Sequence, residues 1–148
     1  MLLSRSAENL YWANRYVERA ETISRLLDVG YRISLLPNYS STHKSEWESI
    51  LLSAGSFDGY RLKYNEFNQK NISDYLLFDN ENKSSVINCM KAARNNIRSA
   101  RTRVTNDVWL SFNQSYKTFQ KYKKKSYKTE NLPVLCNSIK QETNLLRG

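Results

Sequence analysis

Seven polar side chains, Tyr11, Asn14, Arg15, Glu18, Thr22, Arg25 and Arg32, share one stripe of the N-terminal segment. At ~100° per residue they fall within about 60° of a single line on a helix. Arginine forks grip carboxylates and phosphates through paired N–H groups, so the stripe suits a small anion or an acidic peptide end. Glu18 adds a carboxylate able to serve as a general base beside an anion held in this way. Arg15 with Glu18 is an i, i+3 pair and Glu21 with Arg25 an i, i+4 pair. A solvated face with its own salt bridges has the same pattern. A second row, Arg94, Arg98 and Arg101, repeats at i, i+4 and i+7 and borders an apolar seam. If its helix packs on the first, these arginines are expected to reach Glu18 or Glu21, or to line a cleft beside them. The competing reading is a salt-bridge network between helices that fixes their register.

Other chemistry is thin. Cys89 falls on the apolar side of its helix with no histidine nearby in sequence, the pattern of a core thiol. Cys136 is the second cysteine, and two do not make a disulfide-dense scaffold. His43, the single histidine, sits in a polar stretch and reads as a surface residue. The four glycines, Gly30, Gly55, Gly59 and Gly148, match neither the phosphate loop nor the dinucleotide fingerprint. No metal and no cofactor is expected. Trp109 and Tyr116 read as core rather than as stacking platforms. The run Lys121, Lys123, Lys124, Lys125 and Lys128, with Tyr122 and Tyr127 interleaved, is either simply solvated or a contact for nucleic acid or anionic lipid.

The elements that must position these residues are helices. The chain has 148 residues and a net charge of +9, the size of one domain. A first helix is expected from about Ser6 to Leu36, capped by Ser4 or Ser6, with Gly30 marking a bend or an early stop. Its apolar side gathers Trp12, Ala13, Tyr16, Ala20, Ile23, Leu27 and Tyr31; Leu3, Leu10 and Val17 add a second strip. An apolar face this broad marks a central helix. After a loop over residues 37–43, Thr42 or Ser45 caps a short helix holding Trp47, Ile50, Leu51 and Leu52, which Gly55 stops. Another short helix runs through Tyr60, Tyr64 and Phe67, and Asn71 or Ser73 caps a further turn or two up to Phe78. Ser84 or Ser85 opens a helix whose apolar residues Val86, Met90, Ala93, Ile97, Ala100 and Val104 step by 4, 3, 4, 3 and 4, a packing seam. Trp109, Phe112, Tyr116 and Phe119 define the next helix, from about Thr105 to Tyr122, and Pro133 opens the last, with Leu135, Ile139, Thr143 and Leu146 inward. The fold class is all-α, a helical bundle with a long N-terminal helix.

The charge is unevenly spread. Residues 1–88 carry ten basic and eleven acidic side chains, and residues 89–148 carry thirteen basic and three acidic. The excess suggests an anionic partner for the C-terminal part, or only a basic solvated face. There is no run of 18 apolar residues and no secretory h-region, so neither a membrane span nor a signal peptide is expected, and the expected location is cytoplasmic.

The opening MLLSRSAENLYWANRYVERAETISRLLDVGYRISLLP resembles the start of bacterial alpha-E domain proteins, an all-helical family named for a Glu-Arg motif, here Glu18-Arg19. The likeness continues through Glu46-Trp47, the stretch from Tyr75 to Asp79, Ser84-Ser85-Val86, AARNNIRSAR at 92–101, Trp109 and Asn113. One departure is Lys83, where the family usually has proline before the two serines. Family members are usually about twice as long, with a second half that restates the Glu-Arg helix. The resemblance therefore implies that residues 1–148 form a single helical domain corresponding to an N-terminal half: a fragment, one piece of a split gene, or a shortened protein that dimerises. It implies Glu18, Arg19, Arg94 and Arg98 as site positions, beside Arg15, Arg25 and Arg101 from the stripes. It also implies partners, since alpha-E proteins are encoded beside or fused to ATP-grasp ligases and transglutaminase-like proteins.

Three functions follow. The first is a non-catalytic accessory or binding module of a system that makes or remodels peptide or amide bonds. The second is a nucleic-acid or anionic-surface binder acting through residues 89–148. The third is an enzyme with Glu18 as base, for which the sequence supplies no substrate and no nucleophile.

Overall fold

Helix α1 (Leu2–Ser34) is 33 residues long, about 50 Å at 1.5 Å per residue. The computed structural model describes the backbone of residues 2–36, 43–124 and 132–147, and every regular element in these stretches is helical. α1 starts ahead of Ser4 and Ser6, so neither serine caps it as expected. It ends in a tight turn in which the Leu35 and Leu36 N–H groups donate to Arg32 and Ile33. Ala13, Val17, Ala20, Ile23 and Leu27 form its buried side. Trp12, expected with them, is 46% exposed.

Gly30 neither bends nor stops α1. It lets α2 (His43–Ser53) come close: a Cβ there would lie 2.5 Å from Ile50 Cδ1 and 2.8 Å from the Trp47 ring. His43 is the first residue of α2 rather than part of a loop; Thr42 lies outside the described residues. Gly55 ends α2 as expected. Its φ of 69° allows Gly55 N–H to donate to Leu52 and Ser56 N–H to Leu51, which satisfies the last carbonyls of the helix.

α3 (Phe57–Lys63) stops before Tyr64 and Phe67. Both rings still pack around the buried Tyr60, Tyr64 stacked at 4.8 Å and Phe67 tilted at 5.5 Å. α4 (Gln69–Phe78) is capped by Asn68, whose side chain accepts from the Asn71 N–H at 2.8 Å. The expected caps Asn71 and Ser73 lie inside that helix. The corner that follows is tied by amides. Asn82 Nδ2 donates to the Tyr75 carbonyl at 3.1 Å, and Asn88 Nδ2 to those of Asn80 and Asn82 at 2.9 and 2.8 Å. Buried Asp79 accepts from Lys63 Nζ at 2.7 Å and from the Glu81 N–H at 2.8 Å. Burial pushes its carboxyl up, but these bonds and the Lys63 charge outweigh that and hold it below the usual carboxylate value.

Ser85 caps α5 (Val86–Ser99), and Val86, Met90, Ala93 and Ile97 are buried along the expected seam. The helix ends five residues before Val104. Ser99 and Asn96 turn their side chains back onto the carbonyls of Asn95 and Ala92, a competition that weakens a helix end. A 3-10 turn (Arg101–Arg103) follows, and Val104 packs from outside the helix onto Ala13, Val17, Ala93, Ile97 and Phe112. α6 (Asn106–Lys124) buries Phe112, Tyr116 and Phe119; Trp109 is only partly covered. α7 (Leu132–Arg147) holds Pro133 in its first turn and turns Cys136 and Ile139 inward. Residues 125–131, and the side chains of Leu135, Thr143 and Leu146, lie outside the described residues.

α1 is the central element. It packs chiefly on α5 and α7, with α2 beside it, while α6 lies against both α5 and α7. Among the described residues no helix is long and apolar enough to cross a membrane.

Candidate functional site

The expected stripe of α1 is on the surface. Tyr11, Asn14, Arg15, Glu18, Thr22, Arg25 and Arg32 are all exposed. Arg15 and Glu18 pair at 3.6 Å with both side chains about half exposed, a geometry of small energetic weight. Arg15, Glu18, Arg19 and Thr22 line an open depression of about 280 Å³, closed on its other side by Ser53 and Ala54 from the end of α2. Ile23 forms its apolar floor. Arg19 is exposed and has no carboxylate in ion-pair distance among the described residues.

Sequence reasoning missed two parts of this face. Ser53 and Ala54 arrive only because Gly30 allows α2 to approach. Trp12 lies three and seven residues before Arg15 and Arg19, and so on their side of α1. That spacing was the available signal, and the apolar character of tryptophan masked it. Trp12 meets Tyr11 edge to face at 5.4 Å, and Tyr11 is 56% exposed. Two adjacent aromatic rings thus stand in solvent one to two turns from the Glu-Arg pair.

Arg25 and Arg32 belong to a different constellation. Arg25 bonds Glu21, which is only 3% exposed. Arg32 lies 3.3 Å and Lys140 of α7 3.4 Å from Asp28, one and two turns along the same face. Asp28 meets α7 through Lys140, and Arg25, itself exposed, pairs with Glu21 and does not line the depression. The two thiols are interior. Burial pushes Cys89 up to about 11, with the Arg19 charge pulling the other way. Burial and the Asp28 charge push Cys136 up to about 12. Both are protonated near neutral pH and poor nucleophiles.

Arg94, Arg98 and Arg101 do not join Glu18 or Glu21. Arg94 Nε donates to Asn113 Oδ1 of α6 at 2.5 Å, and its guanidinium lies 5.9 and 5.5 Å from the Trp109 and Tyr116 ring centres. Arg101 Nη2 donates to Asn106 Oδ1 at 2.5 Å and its guanidinium lies 5.5 Å from the Trp109 ring centre. Arg98 Nη2 donates to Asn95 Oδ1 at 3.2 Å. These partners are neutral, so the row is not the interhelical salt-bridge network that the spacing allowed. The seven candidates therefore divide three ways: Arg15, Glu18 and Arg19 at the depression, Arg25 paired with Glu21 away from it, and Arg94, Arg98 and Arg101 on the α5–α6 face.

An all-helical domain that displays its single Glu-Arg dipeptide on the open side of a long first helix defines a class. Residues 2–148 match the model of the Alpha-E family, described as a predicted alpha-helical domain with a conserved ER motif, and the chain belongs to that family. Glu18-Arg19 is the only Glu-Arg dipeptide in the sequence, so it is the motif. No curated protein and no solved structure matches the chain.

Proposed function

We propose that the chain is a non-catalytic binding module that docks a protein of a peptide- or amide-bond-forming system, an ATP-grasp ligase or a transglutaminase-like protein, through the Glu-Arg face of α1. One observation carries the reading: Arg19 of the motif faces an open depression with no ion-pair partner among the described residues, on the same side of α1 as the exposed pair Tyr11 and Trp12. Tryptophan, tyrosine and arginine dominate binding energy at protein interfaces. A carboxylate of the partner, at a chain end or on an acidic side chain, would take the two N–H edges of Arg19, with Thr22 and Ser53 as further polar contacts. Glu18 holds Arg15 to one side and repels a second anion. This arrangement selects and orients a partner. The buried, protonated thiols favour the non-catalytic reading over one with a cysteine nucleophile.

The test is the affinity of the purified chain for an ATP-grasp ligase from the same organism, measured by calorimetry. Arg19→Ala and Trp12→Ala should each weaken binding by about tenfold or more with melting unchanged. Wild-type affinity in both folded variants would remove the assignment.

A further inference from the structure

The arginines of this chain are of two kinds. On α1, Arg15, Arg25 and Arg32 each meet a carboxylate. Arg94 and Arg98 on α5 and Arg101 on the 3-10 turn after it are oriented by amide oxygens and, for two of them, by aromatic faces, and none is neutralised among the described residues. Arg94 uses only Nε for Asn113, which leaves both terminal nitrogens of its fork for another acceptor. Lys91 lies one turn before Arg94 on the same side, exposed, and Lys117 and Lys121 continue from Asn113 along α6, also exposed. Residues 86–124 contain nine basic side chains and a single acidic one, Asp107.

We propose that the α5–α6 face binds a nucleic-acid strand through its phosphodiesters, with Lys91, Arg94, Arg98 and Arg101 as the contacting row. Lys91, Arg94 and Arg98 lie at i, i+3 and i+7 on one side of α5, and Arg101 continues the row from the 3-10 turn that follows, so four cations stand in a row and each can neutralise one phosphate. Between them stand the exposed Asn95 and Ser99 of α5 and Thr102 of the 3-10 turn, which suit sugar and base edges. A helix lying on a membrane turns a wide apolar face to the lipid, whereas the apolar residues of α5 face the interior. The observation is independent of the Glu-Arg depression, and neither reading depends on the other.

The experiment is fluorescence anisotropy of the full chain with a labelled 20-nucleotide single-stranded RNA of mixed sequence. Four phosphate contacts give a log–log salt slope of about −3, or roughly a 50-fold loss of affinity from 50 to 200 mM NaCl. The double variant Lys91→Glu/Arg98→Glu changes two exposed side chains without a packing role and should lose at least tenfold at 50 mM NaCl. Arg61→Glu/Lys83→Glu makes the same change in net charge elsewhere and should stay within about twofold of wild type, as should Arg19→Ala. Absence of binding at 50 mM NaCl, a flat salt titration, or equal loss in the two double variants would overturn the proposal. Binding to vesicles containing phosphatidylserine without binding to the oligonucleotide, or polyglutamate competing as well as unlabelled RNA, would overturn it too.

Discussion

A carboxylate buried at a helix end stabilises a fold only while it stays charged. Asp79 is such a group, held by Lys63 and by the Glu81 backbone. Its folded pKa is lowered, so the stability it contributes is complete above the ordinary value of 3.8 and is lost as pH falls through the lower folded value. Asp79→Asn should cost about 1–2 kcal/mol at pH 7, and the gap in melting temperature to wild type should shrink at pH 3. A gap that stays constant from pH 7 to pH 3 would assign the loss to packing. At this scale the sequence was legible where chemistry is local. The pairs Arg15–Glu18 and Arg25–Glu21 follow from spacing and are present. Asn82 and Asn88 were not legible, because each bonds carbonyls six or more residues back and such loop contacts have no period. Arg94 was found by its stripe and wrongly partnered. The stripe says which side of α5 it takes, but only the fold says that Asn113 lies there.

Helices were read well because each has a seam, and their ends were read less well because capping depends on one backbone angle. Asn68 is the instructive case: Asn71 and Ser73 are equally good capping types, and the choice rests on the extended φ and ψ of Asn68. Gly30 shows that a glycine inside a helical pattern can record a neighbour rather than a break. Gly30→Ala gains about 1 kcal/mol of helix propensity, yet it forces a methyl group against Trp47, which is fully buried. Overpacking of this kind costs about 1–3 kcal/mol. The variant should be net destabilised in urea denaturation with an unchanged slope, and a stabilised variant would show that α2 yields at no cost. The same approach places Ser53 and Ala54 at the depression, so Gly30→Ala also perturbs one wall of the Glu-Arg face.

Across the whole molecule, the closure of the bundle lies beyond any local pattern. Asp28 and Lys140 are 112 residues apart in sequence and 3.4 Å apart in space. Both thiols lie in the main core, but Cys136 sits on a helix held chiefly by α1 and α6, whereas Cys89 sits on α5, which packs on α1, α4 and α6. In thiol labelling of the native protein, Cys136 should therefore react before Cys89, through opening of α7 short of global unfolding. Simultaneous labelling, read by mass spectrometry, would make the bundle one cooperative unit. The central place of α1 has a consequence for how the chain is born. Its principal partners, α5 and α7, lie from about fifty to more than a hundred residues downstream, and contacts so distant in sequence close slowly. During synthesis α1 leaves the ribosome with its apolar side bare. α2 shields one end of it early, but its cover is complete only once α7 has followed.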